Sequence, residues 1–477
     1  MESIWNMTYQ GKRNSALEEH IEADAAVIGA GMAGILTAWY LSQAGIRTVV
    51  LEADRIGQGQ TKNTTAKITS QHGMFCSTFT EKKGEETAKK YVQANQAAVE
   101  EYKKIIREND IDCSLTETDS YVYSQDGEKL RREAEAAKRL GIDASFEKQI
   151  EIPVSCAGAV RFPGQAQFHP LKFIKALAEQ LTVYEETLVT AVGENQVKTP
   201  RGSVKAEHIV FAAHYPFINF PGLYFARMHQ ERSYVLALEN AGKIDGMYIG
   251  DKEHTLSFRQ YDQYILLGGQ AHRTGENKEG GRYDKLKKEV RRMYPGSSVA
   301  ACWSAQDCIT ADGIPFIGRY APDRPGWYVA SGFQKWGMSS SMVSALLLRD
   351  MICGKKNPCE EIFDPARFSA EEIPQIMKDG KMAVKGLTKR LFHIPEETVA
   401  ALERGRGGVV ETPQGKAGVY RSEEGHICQV DVVCPHMGCE LTWNPDECSW
   451  DCPCHGSRFD CEGNLLDGPA QEGIQCK

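Results

Sequence analysis

The sequence predicts an α/β protein with a strand-rich middle region and a small, separate C-terminal unit. Three observations carry this. Residues 25–52 read as strand, tight turn, helix, strand; the apolar period shortens between Arg232 and His272; and eight of the 15 cysteines lie between Cys428 and Cys476. A chain of 477 residues exceeds what one core organises and divides into two or three domains. With 42% hydrophobic and 25% charged residues, its composition is that of an ordinary soluble globular protein. The net charge of −8 argues against nucleic acid or an anionic membrane as partner.

The N-terminal MESIWNMTYQGKRNSALEEH has no apolar core and no small-residue cleavage site, so no secretory signal is read there. Ala25 to Ile46 is a run of 22 uncharged residues, long enough on paper to cross a bilayer. Its four glycines, together with Thr37, Ser42 and Gln43, fit a strand–turn–helix instead. The expected location is cytoplasmic, with no membrane attachment.

In AAVIGAGMAGILTAWYLSQAGIRTVVLEAD, Ala25 to Gly29 is an apolar run suited to a buried parallel strand, and Gly29, Gly31 and Gly34 form G-x-G-x-x-G. The first glycine permits the tight turn, and the second lets a pyrophosphate approach the backbone. The third lets helix and strand pack closely, leaving the phosphate at a helix N-terminus. Glu52 ends the next strand, 18 residues after Gly34, where it would accept from ribose hydroxyls. The fingerprint alone does not separate FAD from NAD.

Later segments narrow the choice. GQGQTKNTTAKITSQHG follows the second strand. QFHPLKFIKALAEQL, ETLVTAV and KTPRGSVKAEHIVFAA come mid-chain, and ITADGIPFIGRYAPDRPGWYVASGFQKWGMSSSMVSALLLRDMI closes the region. In this order they resemble the D-amino-acid oxidase/glycine oxidase-like flavoproteins. The resemblance implies FAD held by Gly29, Gly31, Gly34, Glu52, Thr65, Ala66, Val189, Asp312, Gly332, Trp336, Gly337 and Met338. Ser339, Ser340 and Ser341 read as caps for an apolar helix from Met342 to Ile352, whose N-terminus would face the flavin edge that becomes anionic on reduction. A serine-capped core helix is the plainer reading of the same residues. No second G-x-G-x-x-G occurs mid-chain, which favours a substrate that meets the flavin directly over a pyridine-nucleotide reductase.

Thr87 to Arg107 and Glu128 to Leu140 have helical spacing and read as scaffold. SYVLALE, GMYIGD, HTLSFRQYD and QYILLGGQAH read as strands; in the resembling family such a sheet roofs the substrate cavity. Lys67, Tyr234, Arg259, His272 and Lys335 are therefore candidate catalytic or pocket residues, although each also reads as an ordinary surface or sheet residue. The family's amino-acid oxidases carry an arginine shortly before the D-x-x-P turn, as a bidentate clamp for the substrate carboxylate. Here that stretch is CWSAQDCITADGIP, without arginine, which weighs against an ordinary amino-acid substrate. Phe363 to about Arg406 reads as a linker with short helical pieces.

The stretch CPHMGCELTWNPDECSWDCPCHGSRFD holds five cysteines and two histidines in 27 positions. C-P-H and C-P-C-H, separated by 15 residues, each present one thiolate and one imidazole. A Cys₂His₂ zinc site accepts the same ligands. Disulfides alone fit poorly in a chain without an export signal. The motif, followed by GSRFD and EGNLLDGPA, resembles the disulfide-bearing Rieske domain over roughly the last 70 residues. The resemblance implies a [2Fe–2S] cluster with Cys434 and Cys452 on one iron and His436 and His455 on a solvent-facing iron. It implies a Cys439–Cys454 disulfide, with Ser457, Phe459 and Pro469 around the cluster. High-potential members have tyrosine where Phe459 stands, so the implied potential lies below the top of the Rieske range of roughly −150 to +300 mV.

Together the resemblances imply an α/β, Rossmann-like FAD-binding fold with an inserted, mostly antiparallel sheet as substrate subdomain, plus a small all-β Rieske domain. They divide the chain into an arm (1–22), an FAD-dependent oxidoreductase domain (23–365), a linker (366–405) and the Rieske domain (406–477). Within 23–365 the FAD parts are about 23–85, 150–225 and 300–365, and the substrate subdomain is about 86–149 and 226–299. The implied activity is oxidation of a small amine or N-methylated, amino-acid-like compound, with electrons leaving FAD through the cluster to a soluble ferredoxin- or flavodoxin-like partner. A reductase running the opposite way and a non-catalytic redox carrier or sensor fit the same motifs.

Overall fold

The computed structural model describes residues 2–251, 255–368, 370–392, 399, 402–413 and 415–476. Its first layer is a six-stranded sheet in the order Phe316–Arg319, Trp327–Ser331, His208–Phe211, Ala25–Ile28, Thr48–Leu51, Thr182–Tyr184. All neighbours are parallel except the antiparallel Phe316–Arg319 edge. Ala25 to Ile28 are all buried, as a strand covered on both faces requires. Helices Met32–Gln43 and Gly337–Ile352 pack against each other, with Glu85–Glu108 beside the second.

The second layer is a nine-stranded sheet, antiparallel except where Met247–Gly250 runs parallel to Thr116–Ser124. Besides the strands expected between Arg232 and His272, it recruits Gly158–Gln167 and Ser298–Thr310 from stretches assigned above to the FAD parts. Strands Met228–Glu239 and Ser298–Thr310 pair along nearly their whole length, with Glu231 opposite Asp307.

Two antiparallel sheets form the all-β C-terminal domain: Arg406–Thr412, Gly415–Arg421 and Ile427–Val430, then Thr442–Asn444, Ser449–Asp451, Arg458–Asp460 and Leu465–Asp467. Trp450, Phe459, Leu441 and Val430 fill its core. The stretch read as a linker with short helical pieces carries one 20-residue helix, Ile373–Phe392. Gly380 and Gly386 break the apparent periodicity, but Gly386 is there for packing: a Cβ would stand 2.6 Å from Cys454 Sγ. Residues 393–398 and 400–401 of that linker lie outside the described residues.

Buried ions join the C-terminal domain to the nine-stranded sheet. Arg232 Nε lies 2.7 Å from Glu447 and its Nη1 3.6 Å from Asp467, while Arg458 pairs with Glu447, Asp451 and Asp467 at 2.7, 2.9 and 2.9 Å. Arg232 is 2% exposed, so its charge is tolerable only because it is paired. Replacing it by leucine leaves three carboxylates around one remaining guanidinium. Arg232→Leu should cost roughly 3–5 kcal/mol in chemical denaturation; an unchanged midpoint contradicts this role.

Candidate active site and electron-transfer centre

The glycine turn is built as its spacing requires. Gly29 has φ +105°, and a Cβ there would meet the Ala212 carbonyl at 2.6 Å; a Cβ on Gly34 would lie 1.8 Å from the Gly29 carbonyl oxygen. Gly31 precedes helix Met32–Gln43, whose first residues border a cleft of about 1240 Å³; the Met32 N–H donates to Thr61 Oγ1 at 3.0 Å. Glu52 borders that cleft, its carboxylate aligned by the N–H groups of Ala30 (2.6 Å) and Asp54 (2.9 Å), and burial raises its pKa. Thr65, Val189, Gly332, Trp336, Gly337 and Met338 border it too.

Two residues expected to touch the cofactor do not line the cleft. Ala66 is fully buried behind the wall, its carbonyl accepting from Arg259 (2.8 Å). Asp312 is spent on Arg367 (2.7 Å) and on the Ile314 N–H of its own turn (3.1 Å). The three serines are not caps ahead of a helix from Met342. The helix starts at Gly337 and contains them, buried; Ser344 Oγ donates to the Ser340 carbonyl, and Ser339 Oγ pairs with His72 Nε2 at 2.8 Å. The helix N-terminus itself still borders the cleft.

In the C-terminal domain Cys434 and Cys452 lie buried side by side. A hydrogen bond between them, with another from Ser457, brings the Cys434 thiol down to about 7. The His436 and His455 rings are 4.9 Å apart, and the Nδ1 of each is buried without a hydrogen-bond partner. Two adjacent thiols and two unsatisfied imidazole nitrogens are a donor set suited to a two-iron cluster. The Cys439–Cys454 disulfide is present; Cys452 lies within 4.8 Å of it, but the two oxidised sulfurs are not thiolate donors. Ser457 Oγ also accepts the Ala470 N–H, Phe459 is buried in the domain core, and Pro469 borders the flavin-side cleft.

A family model for FAD-dependent oxidoreductases (DAO) matches residues 24–351, and one for the Rieske [2Fe–2S] domain matches 395–477. The chain belongs to the DAO family of FAD-dependent oxidoreductases and carries a Rieske domain. Its family binds FAD, and the Rieske domain binds a [2Fe–2S] cluster. YhfW of Bacillus subtilis (strain 168), named for a Rieske 2Fe-2S iron–sulfur protein, is 37% identical over 98% of this chain and 96% of its own. Glycine oxidase from Geobacillus kaustophilus superimposes with a TM-score of 0.63 at 18% identity, covering 73% of this chain and 100% of that one. L-proline dehydrogenase from P. horikoshii gives 0.63 at 21%, covering 73% and 98%.

The Rieske histidines do not face solvent as expected; they face the flavoenzyme domain. His436 Nε2 is 2.8 Å from Asn219 Oδ1, and the Phe225 ring lies 5.8 Å from that of His455. Gln230 Nε2 donates to the His455 carbonyl at 2.7 Å, and Gln306 Nε2 to that of Gly456 at 2.9 Å. The spacing of the two Cys/His loops carries no information on which surface they turn toward.

Of the candidate catalytic residues, four line the cleft and one does not. Lys67 does; burial, then repulsion by Arg259, brings its pKa down to about 7. Arg259 is instead a strut, donating to the carbonyls of Thr65, Ala66 and Phe168 and so holding the Lys67 loop. Tyr234 pairs with His272 at 3.0 Å and accepts from Asn277, which reaches Asp446 across the domain boundary. Lys335 pairs with Glu231 at 3.1 Å. Sequence reasoning missed His72, which stacks on Trp336 at 4.9 Å and is kept neutral by burial, with a pKa of about 3. It also missed Glu231 and Asp307. No motif marks them, and only the absent arginine pointed to that stretch.

Gly34→Ala should lower the flavin-to-iron ratio of the purified protein severalfold, because the added Cβ cannot coexist with the Gly29 carbonyl. Full flavin content in G34A would contradict this reading of the turn.

Proposed function

We propose that this flavoenzyme is a dehydrogenase. It oxidises a small amine or N-methylated, amino-acid-like compound and delivers the electrons through its Rieske cluster to a soluble acceptor of ferredoxin or flavodoxin type. The observation that carries the reading is the inward orientation of His436 and His455 against the domain that holds the cleft. When bound, FAD supplies two-electron oxidation and the cluster single-electron transfer. In this reading Cys434 and Cys452 hold one iron and His436 and His455 the other, through the unpaired Nδ1 atoms.

The chain's residues support it in three ways. Gln230 and Gln306 fix the backbone of the histidine loop, and the two amides are themselves bonded at 2.6 Å. Gly468, Pro469, Ala470 and Gln471 of the Rieske domain form part of the cleft wall, helping exclude water where the two sites adjoin. Lys67 lines the cleft, and burial, then repulsion by Arg259, lowers its pKa, which suits a group that takes up or releases a proton there. The names of the superimposable glycine oxidase and L-proline dehydrogenase support an amine-bearing substrate.

Anaerobic mixing of the holoenzyme with a panel of small amines, followed by absorbance and low-temperature EPR, tests the proposal. Flavin bleaching together with the signal of a reduced histidine-ligated [2Fe–2S] cluster is the expected outcome. Bleaching by reduced ferredoxin and by no amine would reverse the direction of flow.

A further inference from the structure

The strand pair Met228–Glu239 and Ser298–Thr310 serves two sites. Gln230, Arg232, Ser304 and Gln306 bond to the Rieske domain; Glu231, Ser233, Ala305 and Asp307 line the cleft, and Gln306 borders it as well. Glu231 and Asp307 are direct partners in register. The Gln334 N–H donates to the Cys308 carbonyl at 2.9 Å, which ties the Gly332–Met338 turn against this strand next to Asp307.

The two carboxylates at this end of the cleft differ in their partners. Glu231 is matched by Lys335 at 3.1 Å and by His229 at 3.6 Å. Asp307, half-buried in the same wall, has no hydrogen bond or ion pair to any described residue. Burial pushes its carboxyl up to about 6, with Lys335 pulling the other way. Of the two arginines that line the cleft, one is bound to a carboxylate and the other to a neutral amide. Arg273 holds Asp379 and the Pro453 and Cys454 carbonyls, and Arg282 holds Asn277. This wall therefore presents to the cleft, beside the paired Glu231, a carboxylate whose side chain has no hydrogen bond or ion pair to a described residue.

We propose that Asp307 recognises the substrate's ammonium group, and that the substrate is a cationic alkylamine such as a diamine. This rests on the dehydrogenase reading above and narrows its substrate class. A carboxylate in the cleft wall repels carboxylates as well as attracting amines, so it discriminates in both directions.

Binding, rather than turnover, tests it. The FAD- and cluster-loaded enzyme is titrated with 1,4-diaminobutane and separately with acetate and glycine, followed by flavin absorbance and calorimetry. Saturable diamine binding, tighter than either carboxylate, is expected in the wild type. D307N should weaken it at least tenfold, and D307R should lose it and gain affinity for acetate. The wild-type preference needs no variant, and flavin content and cluster EPR verify that each variant is folded. No saturable diamine binding, tighter acetate binding, or equal affinity in D307N would each overturn the inference. Diamine binding without flavin bleaching would keep this inference and remove the dehydrogenase reaction. Bleaching by glycine with no dependence on Asp307 would do the reverse.

Discussion

The buried ionic joint between Arg232 and Glu447, closed from the other side by Arg458, fixes how the Rieske domain meets the nine-stranded sheet. Ions taken out of water are tolerated only in good mutual geometry, so this contact admits one docking pose and penalises its neighbours. That pose turns the two Rieske histidines inward. It also brings Gly468 to Gly473 to the cleft and seats Pro453 against Gly275, where a Cβ would lie 2.6 Å from the proline. Glycine at 275 and again at 456, where Gln230 approaches within 2.7 Å of a notional Cβ, lets the two backbones meet closely.

A strand alternates its faces residue by residue, so two neighbouring strands can serve two sites at once. Gln230 and Gln306 reach the histidine loop while Glu231 and Asp307, one residue on, face the cleft. The wall that shapes substrate recognition is thus the wall that holds the cluster. Tyr234, His272 and Asn277 extend the same layer to Asp446. Any change in one of these strands is expected to be felt on both sides.

Much of this was legible in the chain where function is encoded locally. The glycine turn lies within one strand–turn–helix, and the Cys/His pairs lie within two short loops, so residue type and spacing pointed to the FAD-binding family and the Rieske domain. What depended on distant pairing was not legible. Arg259 looked like a pocket residue because its strand faces the flavin domain, yet its guanidinium is consumed by three carbonyls of other segments. Asp312 sits in a recognisable turn, but a partner 55 positions away, Arg367, takes its charge. The inward histidines depend on Gln230, 225 residues from His455. The helix Ile373–Phe392 was hidden by two glycines, one of which is required by a disulfide that lies beneath it.

The central claim is that flavin and cluster exchange electrons within one molecule, across the docked interface. Flash photoreduction of the flavin in the holoenzyme, with cluster reduction followed by absorbance at several protein concentrations, measures this directly. The account predicts a first-order rate that is unchanged over a tenfold range of concentration. A rate proportional to protein concentration would mean that each cluster is reduced by another molecule, and the docked pose would not be the electron-transfer pose.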